Sequence, residues 1–66
     1  MTVRHPDITI SMVDEDGNAF AIIGRVHREM RRAGLSQAER DAFTKEATSG
    51  DYDHLLVTVM RWFDVQ

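Results

Sequence analysis

Residues 51–63 read DYDHLLVTVMRWF, and this stretch decides the fold. Its apolar side chains recur every three or four residues, which is the period of a helix with one buried face. Asp51 is a favourable N-cap residue, and Asp53 places a negative charge near the positive end of the helix dipole. The stretch predicts a helix over residues 52–63, whose apolar stripe contains Tyr52, Leu55, Leu56, Val59, Met60 and Phe63.

The same stretch carries a competing strand pattern, because apolar and polar residues also alternate over residues 57–65. A strand there would place Arg61 on its apolar side and would leave Leu55 and Leu56 outside the pattern. The helix accounts for more of the apolar residues, and we therefore favour it.

A second helix is predicted upstream, over residues 19–33. Asn18 is a good N-cap residue, and Gly34 is a natural residue to follow the helix end. Asp16-Gly17 is a hairpin signal that would instead make residues 19–23 a returning strand. The helical stripe outweighs that dipeptide because it contains Ala19, Ile22, Ile23, Val26, Met30 and Ala33. A glycine inside this helix, Gly24, indicates a close packing contact.

The remaining elements predict an α+β fold that is mostly α: one short strand followed by three helices. Residues 8–13 alternate as a half-buried strand, with Ile8, Ile10 and Met12 facing inward, and residues 14–17 form a turn. Ser36 and Glu39 form a capping box for a helix over residues 37–49. Phe43 is the only large apolar residue of that helix, which predicts a surface position.

The length of 66 residues allows a single domain over residues 1–66 with a marginal core. The sequence contains no cysteine, so disulfides and thiolate metal sites are excluded. We therefore expect a homo-oligomer, in which the lone strand at residues 8–13 pairs with the N-terminal arm or with another chain. No cofactor, metal or membrane partner is predicted, and the absence of a signal peptide or an apolar span predicts a cytoplasmic protein.

The formal net charge is −3, which does not favour nucleic acid as a partner. Basic residues nevertheless concentrate on the predicted helix over residues 19–33. Arg25, Arg28 and Arg32 share the face opposite the apolar stripe, and Arg31 and His27 flank it. Guanidinium groups suit phosphate, so these five residues, called here the arginine row, are a candidate anion site. The alternative is a solvated helix face.

A second polar cluster comprises Ser49, Asp53, His54 and Arg61, for which capping and ordinary surface roles are the simpler interpretation. Trp62 is predicted to lie at an oligomer interface, where tryptophan is enriched. The chain lacks the nucleophile, zinc and phosphate-loop motifs of common enzymes. We therefore predict no catalytic residues and no enzymatic activity.

Three segments read DGNAFAIIG at residues 16–24, RRAG at residues 31–34 and EATSGDYDHLL at residues 46–56. With them the chain resembles small uncharacterised proteins of bacteriophages, prophages and mobile elements. The resemblance implies a protein that acts by binding, such as an oligomer that sequesters a nucleotide signal of bacterial immunity. It assigns no residue a role.

Two functions follow as hypotheses. The first is an oligomeric binding protein in the host cytoplasm that captures a phosphorylated, nucleotide-like ligand on the arginine row and so counters host defence. The alternative is a protein–protein interaction module that inhibits or adapts a host protein.

Overall fold

The computed structural model describes residues 3–11 and 18–66. Along the chain it contains strand β1 (His5–Ile10), helices α1 (Ala19–Arg32), α2 (Gln37–Ala47) and α3 (Tyr52–Trp62), and strand β2 (Phe63–Val65). The two strands pair in parallel as a two-stranded sheet, with all three helices between them in sequence. The predicted α+β class, mostly α, is confirmed.

The three helices begin directly after the predicted N-cap residues. Asn18 accepts a hydrogen bond from the Phe20 amide at 2.8 Å, Ser36 Oγ accepts one from the Glu39 amide at 3.2 Å, and Asp51 accepts one from the His54 amide at 2.9 Å. Each side chain satisfies an amide in the first helical turn, which has no partner within the helix.

The end of α1 is equally well determined. Gly34 has a φ of +83°, and its amide donates to the Arg31 carbonyl at 3.0 Å. The next amide, of Leu35, reaches back to the Met30 carbonyl at 3.0 Å. This pair of bonds is the Schellman arrangement, in which glycine adopts the left-handed conformation at low steric cost.

Helix α3 ends at Trp62, one residue before the end of the predicted range, and strand β2 is an element that the sequence pattern does not predict. Phe63 is extended, with φ −137° and ψ 166°, because the backbone that follows α3 finds a partner in β1. Val65 aligns with Ile10, and the Gln66 amide donates to the Ile10 carbonyl at 2.9 Å. The competing strand pattern is therefore correct for residues 63–65 alone.

Strand β1 begins three residues before its predicted start and ends at Ile10. Its ladder with β2 includes His5, opposite Phe63, with a register irregularity before Thr9. Met12, and the turn predicted at residues 14–17, lie outside the described residues. The expectation of a lone strand is wrong, because β2 of the same chain pairs with β1 along one edge. Pairing of β1 with another chain stays a prediction. The oligomer itself stays a prediction.

The core forms where the sheet meets the inner faces of the three helices. Phe43 of α2 makes edge contacts with Trp62 and Phe63, with ring centroids 5.5 Å apart in each pair. The buried apolar residues are Ile8, Ile10, Ile22, Val26, Met30, Phe43, Ala47, Leu55, Val59, Trp62 and Phe63. The predicted inward positions Ile8 and Ile10 are confirmed.

Helix α3 is rotated relative to its predicted stripe. Trp62 is only 3% exposed, whereas the stripe residue Met60 is 59% exposed. The reason is β2, which anchors the end of α3 against β1 and turns the indole towards Phe43. The assignment of Trp62 to an oligomer interface is therefore corrected, since its ring is buried in the core of a single chain.

Two smaller expectations also change. Helix α2 ends at Ala47 rather than at residue 49, because the Thr48 and Ser49 hydroxyls donate to the carbonyls of Thr44 and Glu46, both at 2.7 Å. Such local bonds compete with helix propagation. Gly24 lies on the exposed side of α1. Apart from its chain neighbours and the backbone of its own helix, a methyl group placed there would have no described atom within 4 Å. The close contact predicted for Gly24 is therefore absent from the described part of the fold.

No helix in the described part of the chain is long and apolar enough to cross a membrane.

Candidate functional site

The arginine row does not form one surface, because two of its members bond to other parts of the chain. Arg25 is half-buried, and its Nη1 donates to the Ser11 carbonyl at 2.9 Å. His27 faces α2, where its ring meets the edge of Phe43 with centroids 6.5 Å apart. Thr44 donates its hydroxyl to the Arg40 carbonyl, so His27 Nε2 donates to the Thr44 oxygen. These two residues join elements of the fold.

The other three arginines lie exposed towards the end of α1, with a carboxylate between them. Glu29 Oε2 is 3.8 Å from Arg28 Nε and 3.6 Å from Arg32 Nη1. The shallow groove beside Arg32 is also lined by Asp7 and Glu29. Arg28 and Arg32 are thus partly neutralised within the chain, and the shallow groove beside Arg32 contains two carboxylates.

The second polar cluster contains a structural pair. His54 Nε2 donates to the Glu46 carbonyl at 2.9 Å and lies 3.1 Å from Ser49 Oγ. A carbonyl only accepts, so the proton is on Nε2. The pair thereby satisfies the last turn of α2, whose carbonyls lack partners within the helix. Gly50 permits this approach, since a Cβ there would lie 2.9 Å from the His54 side chain.

Asp53 and Arg61, the other predicted members of that cluster, do not join His54. Both are exposed on α3, and their side chains form no hydrogen bond or ion pair with any residue in the described ranges. The structure therefore separates the cluster into a cap, made by Ser49 and His54, and two charged side chains that stand apart from it.

A charged cluster that the sequence pattern does not predict fastens the N-terminal segment to α2. Arg4 donates to both oxygens of Glu39, at 2.9 and 3.0 Å, and His5 Nε2 donates to Oε2 at 2.8 Å. The Arg4 guanidinium also lies 4.2 Å from the centre of the Trp62 ring. A capping box would use the Glu39 carboxylate for a return bond to Ser36, but this carboxylate binds Arg4 and His5 instead.

The hydrogen bond from Arg4, followed by that from His5, lowers the pKa of Glu39 below its ordinary value. Hydrogen bonds to the ionised carboxylate favour the charged form, and nearby positive charge adds to that effect. A carboxylate held in this form is a poor proton donor or general base near neutral pH. The Glu39 cluster therefore serves to attach β1 to α2.

An apolar recess lies between the start of α1 and the α2–α3 connection. Phe20 is 87% exposed and stands at its edge beside Ala19 and Ile23 of the same helix. The recess has a volume of about 260 Å³. Across from Phe20 it is bounded by Ala47, Thr48, Gly50, Asp51, Tyr52 and Leu55. We call this surface the Phe20 groove.

Local structure explains why the groove is open. The Asn18 cap starts α1 so that Ile22 and Val26 face the core, which turns Phe20 outward to the edge of the apolar stripe. On the other side, the Asp51 cap starts α3 directly after the short loop at Gly50 and leaves Tyr52 44% exposed. Two aromatic side chains therefore stand beside a mostly apolar depression.

The helix pattern alone does not locate the groove, although one signal for it is present in the sequence. Phe20 is the largest apolar residue of α1, yet it lies off the stripe that predicts the buried face. An apolar residue outside its own helix stripe has no expected partner in the core, so it is a candidate for an external contact.

No group of three or more His, Cys, Asp or Glu side chains in the described ranges is placed to hold a metal ion. No protein-family model, curated protein or solved structure matches the chain. The resemblance to small phage proteins is therefore still a prediction.

Proposed function

We propose that this chain is a non-catalytic binding protein that captures a protein partner in the Phe20 groove. The observation that carries the proposal is the 87% exposure of Phe20 beside an apolar recess of about 260 Å³. Leaving a phenylalanine in water forfeits roughly 1.5–3 kcal/mol relative to burying it. A partner that covers Phe20 recovers this free energy.

The dimensions of the groove suit an apolar side chain of an extended or helical segment. Phe20 and Tyr52 flank the recess, and Asp51 is the only carboxylate residue among the described residues that line it. A partner segment with one large apolar residue next to a basic residue would therefore be complementary to this surface.

The test begins with peptides selected from a random library on the immobilised wild-type chain. Their affinities are then measured by fluorescence anisotropy for the wild type, for Phe20→Ser and for Met60→Ser. Met60 is a matched control, because it is exposed and apolar but does not line the groove. A central aromatic anchor is worth about 2 kcal/mol or more, so Phe20→Ser should weaken binding about 30-fold.

Met60→Ser should bind the selected peptides as the wild type does. Equal affinity of Phe20→Ser and the wild type, or failure to select any peptide, would contradict the proposal. Circular dichroism of both variants checks that the helices are intact.

A second candidate function is capture of a phosphorylated ligand, favoured by the exposure of Arg28, Arg31 and Arg32 at one end of α1. Because Glu29 lies among these cations, a site of useful affinity requires arginines from a second copy. Calorimetry against cyclic dinucleotides and ADP-ribose tests this candidate. Binding by the wild type that is lost in Arg28→Glu would support it, and absence of heat with every ligand would remove it.

The resemblance to phage proteins adds a biological setting to both candidates. A host protein is then the expected occupant of the Phe20 groove, and a nucleotide signal of host immunity is the expected ligand of the arginines. Counteraction of host defence in the cytoplasm is proposed on that resemblance alone.

A further inference from the structure

Helix α3 carries apolar residues on two opposite sides. Its inner side places Leu55, Val59 and Trp62 in the core. Its outer side presents Met60 and Val57, which are 59% and 43% exposed. A surface helix usually carries polar residues on its outer face, so two adjacent exposed apolar residues there are a candidate contact surface.

Opposite charges stand at the two ends of this outer face. Asp53 lies four residues before Val57 and Arg61 lies four residues after it. At 1.5 Å per residue each charge is about 6 Å from Val57 along the helix axis, and the two are about 80° apart around it, with Val57 midway. Both are exposed, and neither side chain has a partner among the described residues.

We propose that α3 packs antiparallel against α3 of a second copy of this chain, around a two-fold axis beside Val57. Inverting the helix about Val57 exchanges the positions of Asp53 and Arg61. Each aspartate then faces Arg61 of the partner subunit, and the exposed valines meet at the axis. A two-fold interface requires such self-complementarity, since a contact from one residue to another must occur in both directions.

This charge arrangement favours a second copy over an unrelated protein. A helix with an acid and a base equidistant from a central apolar residue is complementary to its own inverted copy. The contact is limited to one face of an 11-residue helix. The area that each copy buries is therefore smaller than the roughly 800 Å² per partner of a standard interface. We therefore expect a weak dimer, populated at micromolar concentrations and less populated at high salt.

The dimer is independent of the proposed function, because Met60 and Val57 do not line the Phe20 groove. Sedimentation equilibrium across the micromolar range, with the full chain, is the appropriate measurement. The variants Asp53→Arg and Arg61→Asp each place like charges opposite one another at both ends of the pair. Each alone should dimerise at least about tenfold more weakly than the wild type.

Mixing the two variants gives the sharper test. In an antiparallel pair that contains one copy of each, every substituted charge faces the opposite charge, so the 1:1 mixture should dimerise with nearly wild-type affinity. The matched control is Arg31→Asp, a charge reversal on α1 that should leave dimerisation unchanged. Phe20→Ser should also dimerise normally.

Three outcomes would overturn the proposal: a wild type that stays monomeric, single variants that dimerise like the wild type, or a mixture that fails to restore dimerisation. Circular dichroism establishes that each variant is folded. If either charge variant unfolds, Val57→Ser provides the same test by removing the central apolar contact, and it should also weaken dimerisation.

Discussion

At the scale of single residues, Gly24 within α1 and Gly34 just after its end have different roles. Gly34 has a φ of +83°, a conformation that residues with a Cβ adopt at a steric cost. Gly24 is an ordinary helical position on the exposed side, with open space where a methyl group would stand. The first glycine is required by the helix end, whereas the second only reduces the helical propensity of α1.

Gly24→Ala should therefore raise the free energy of unfolding by about 0.5–1 kcal/mol, because alanine has less backbone freedom to lose on folding. The matched control is Gly34→Ala, which should lower it by about 1 kcal/mol or more. Urea denaturation followed by circular dichroism measures both. Destabilisation by Gly24→Ala would show that α1 packs closely against another element at this position.

The Glu39 cluster makes a prediction about acid stability. Since the folded-state pKa of Glu39 is lowered, the unfolded chain binds more protons than the folded chain in the acid range. The stabilisation from Glu39 is complete above the ordinary glutamate pKa of about 4.5 and is lost as the pH falls through the lowered value. Stability should decline on acidification.

Glu39→Gln should remove part of this decline, so its urea midpoint should vary less over the acid range than that of the wild type. The matched control for the loss of one negative charge is Asp41→Asn, which changes an exposed carboxylate of the same helix outside the Glu39 cluster. A Glu39→Gln profile parallel to the wild-type profile would contradict the role given to the cluster.

At the scale of elements, the aromatic contacts join α2 to the end of α3 and the start of β2. Phe43 is the large apolar residue that anchors α2, and it touches both Trp62 and Phe63. Phe63 is 1% exposed and also takes part in the β1–β2 ladder. One side chain thus contributes to the core at the point where a helix becomes a strand.

Phe63→Ala should cost about 3–5 kcal/mol of stability, since it leaves a cavity in a fully packed site. That is a large share of the stability of a 66-residue chain, so a shift of the urea midpoint to very low concentration, or unfolding in water, is expected. Met60→Ala, on the exposed side of α3, should change stability by about 0.5 kcal/mol or less. A midpoint for Phe63→Ala within error of the wild type would contradict the packing described.

The helices are predictable because each carries its own local signals. Asn18, Ser36 and Asp51 cap the helices as their sequence positions indicate, and Gly34 ends α1 as expected. The bounds of strand β2 are not predictable, because the alternation over residues 57–65 also covers helical residues. Residues 63–65 alone contain too little periodicity to overrule a helical stripe that continues through Phe63. Strand β1, the partner of β2, lies more than 50 residues away in sequence.

The candidate site is less predictable than the fold. The residue pattern identifies arginines, but it cannot show that Arg25 and His27 bond to other parts of the chain. The rotation of α3 depends on β2, so the burial of Trp62 and the exposure of Met60 could not be anticipated either. For Phe20, the sequence shows only that it is an apolar residue outside the apolar stripe of α1.

At the scale of the whole molecule, the structure presents two apolar surfaces for which we propose different partners. The Phe20 groove lies between α1 and the α2–α3 connection, and the proposed dimer contact lies on the outer face of α3. Since the two surfaces share none of their principal residues, substitutions can separate partner binding from dimerisation. The exposed arginines at the end of α1 are a third surface, which the groove proposal does not use.

The proposal that the Phe20 groove is the binding site is tested most directly by nuclear magnetic resonance. A library-selected peptide is titrated into the uniformly ¹⁵N-labelled chain, and amide shift changes are recorded. We predict that the largest changes fall on the groove residues Phe20, Ile23, Gly50 and Tyr52 and are small at Arg28, Arg31 and Arg32. Changes concentrated at those arginines, with the groove amides unmoved, would contradict the proposal.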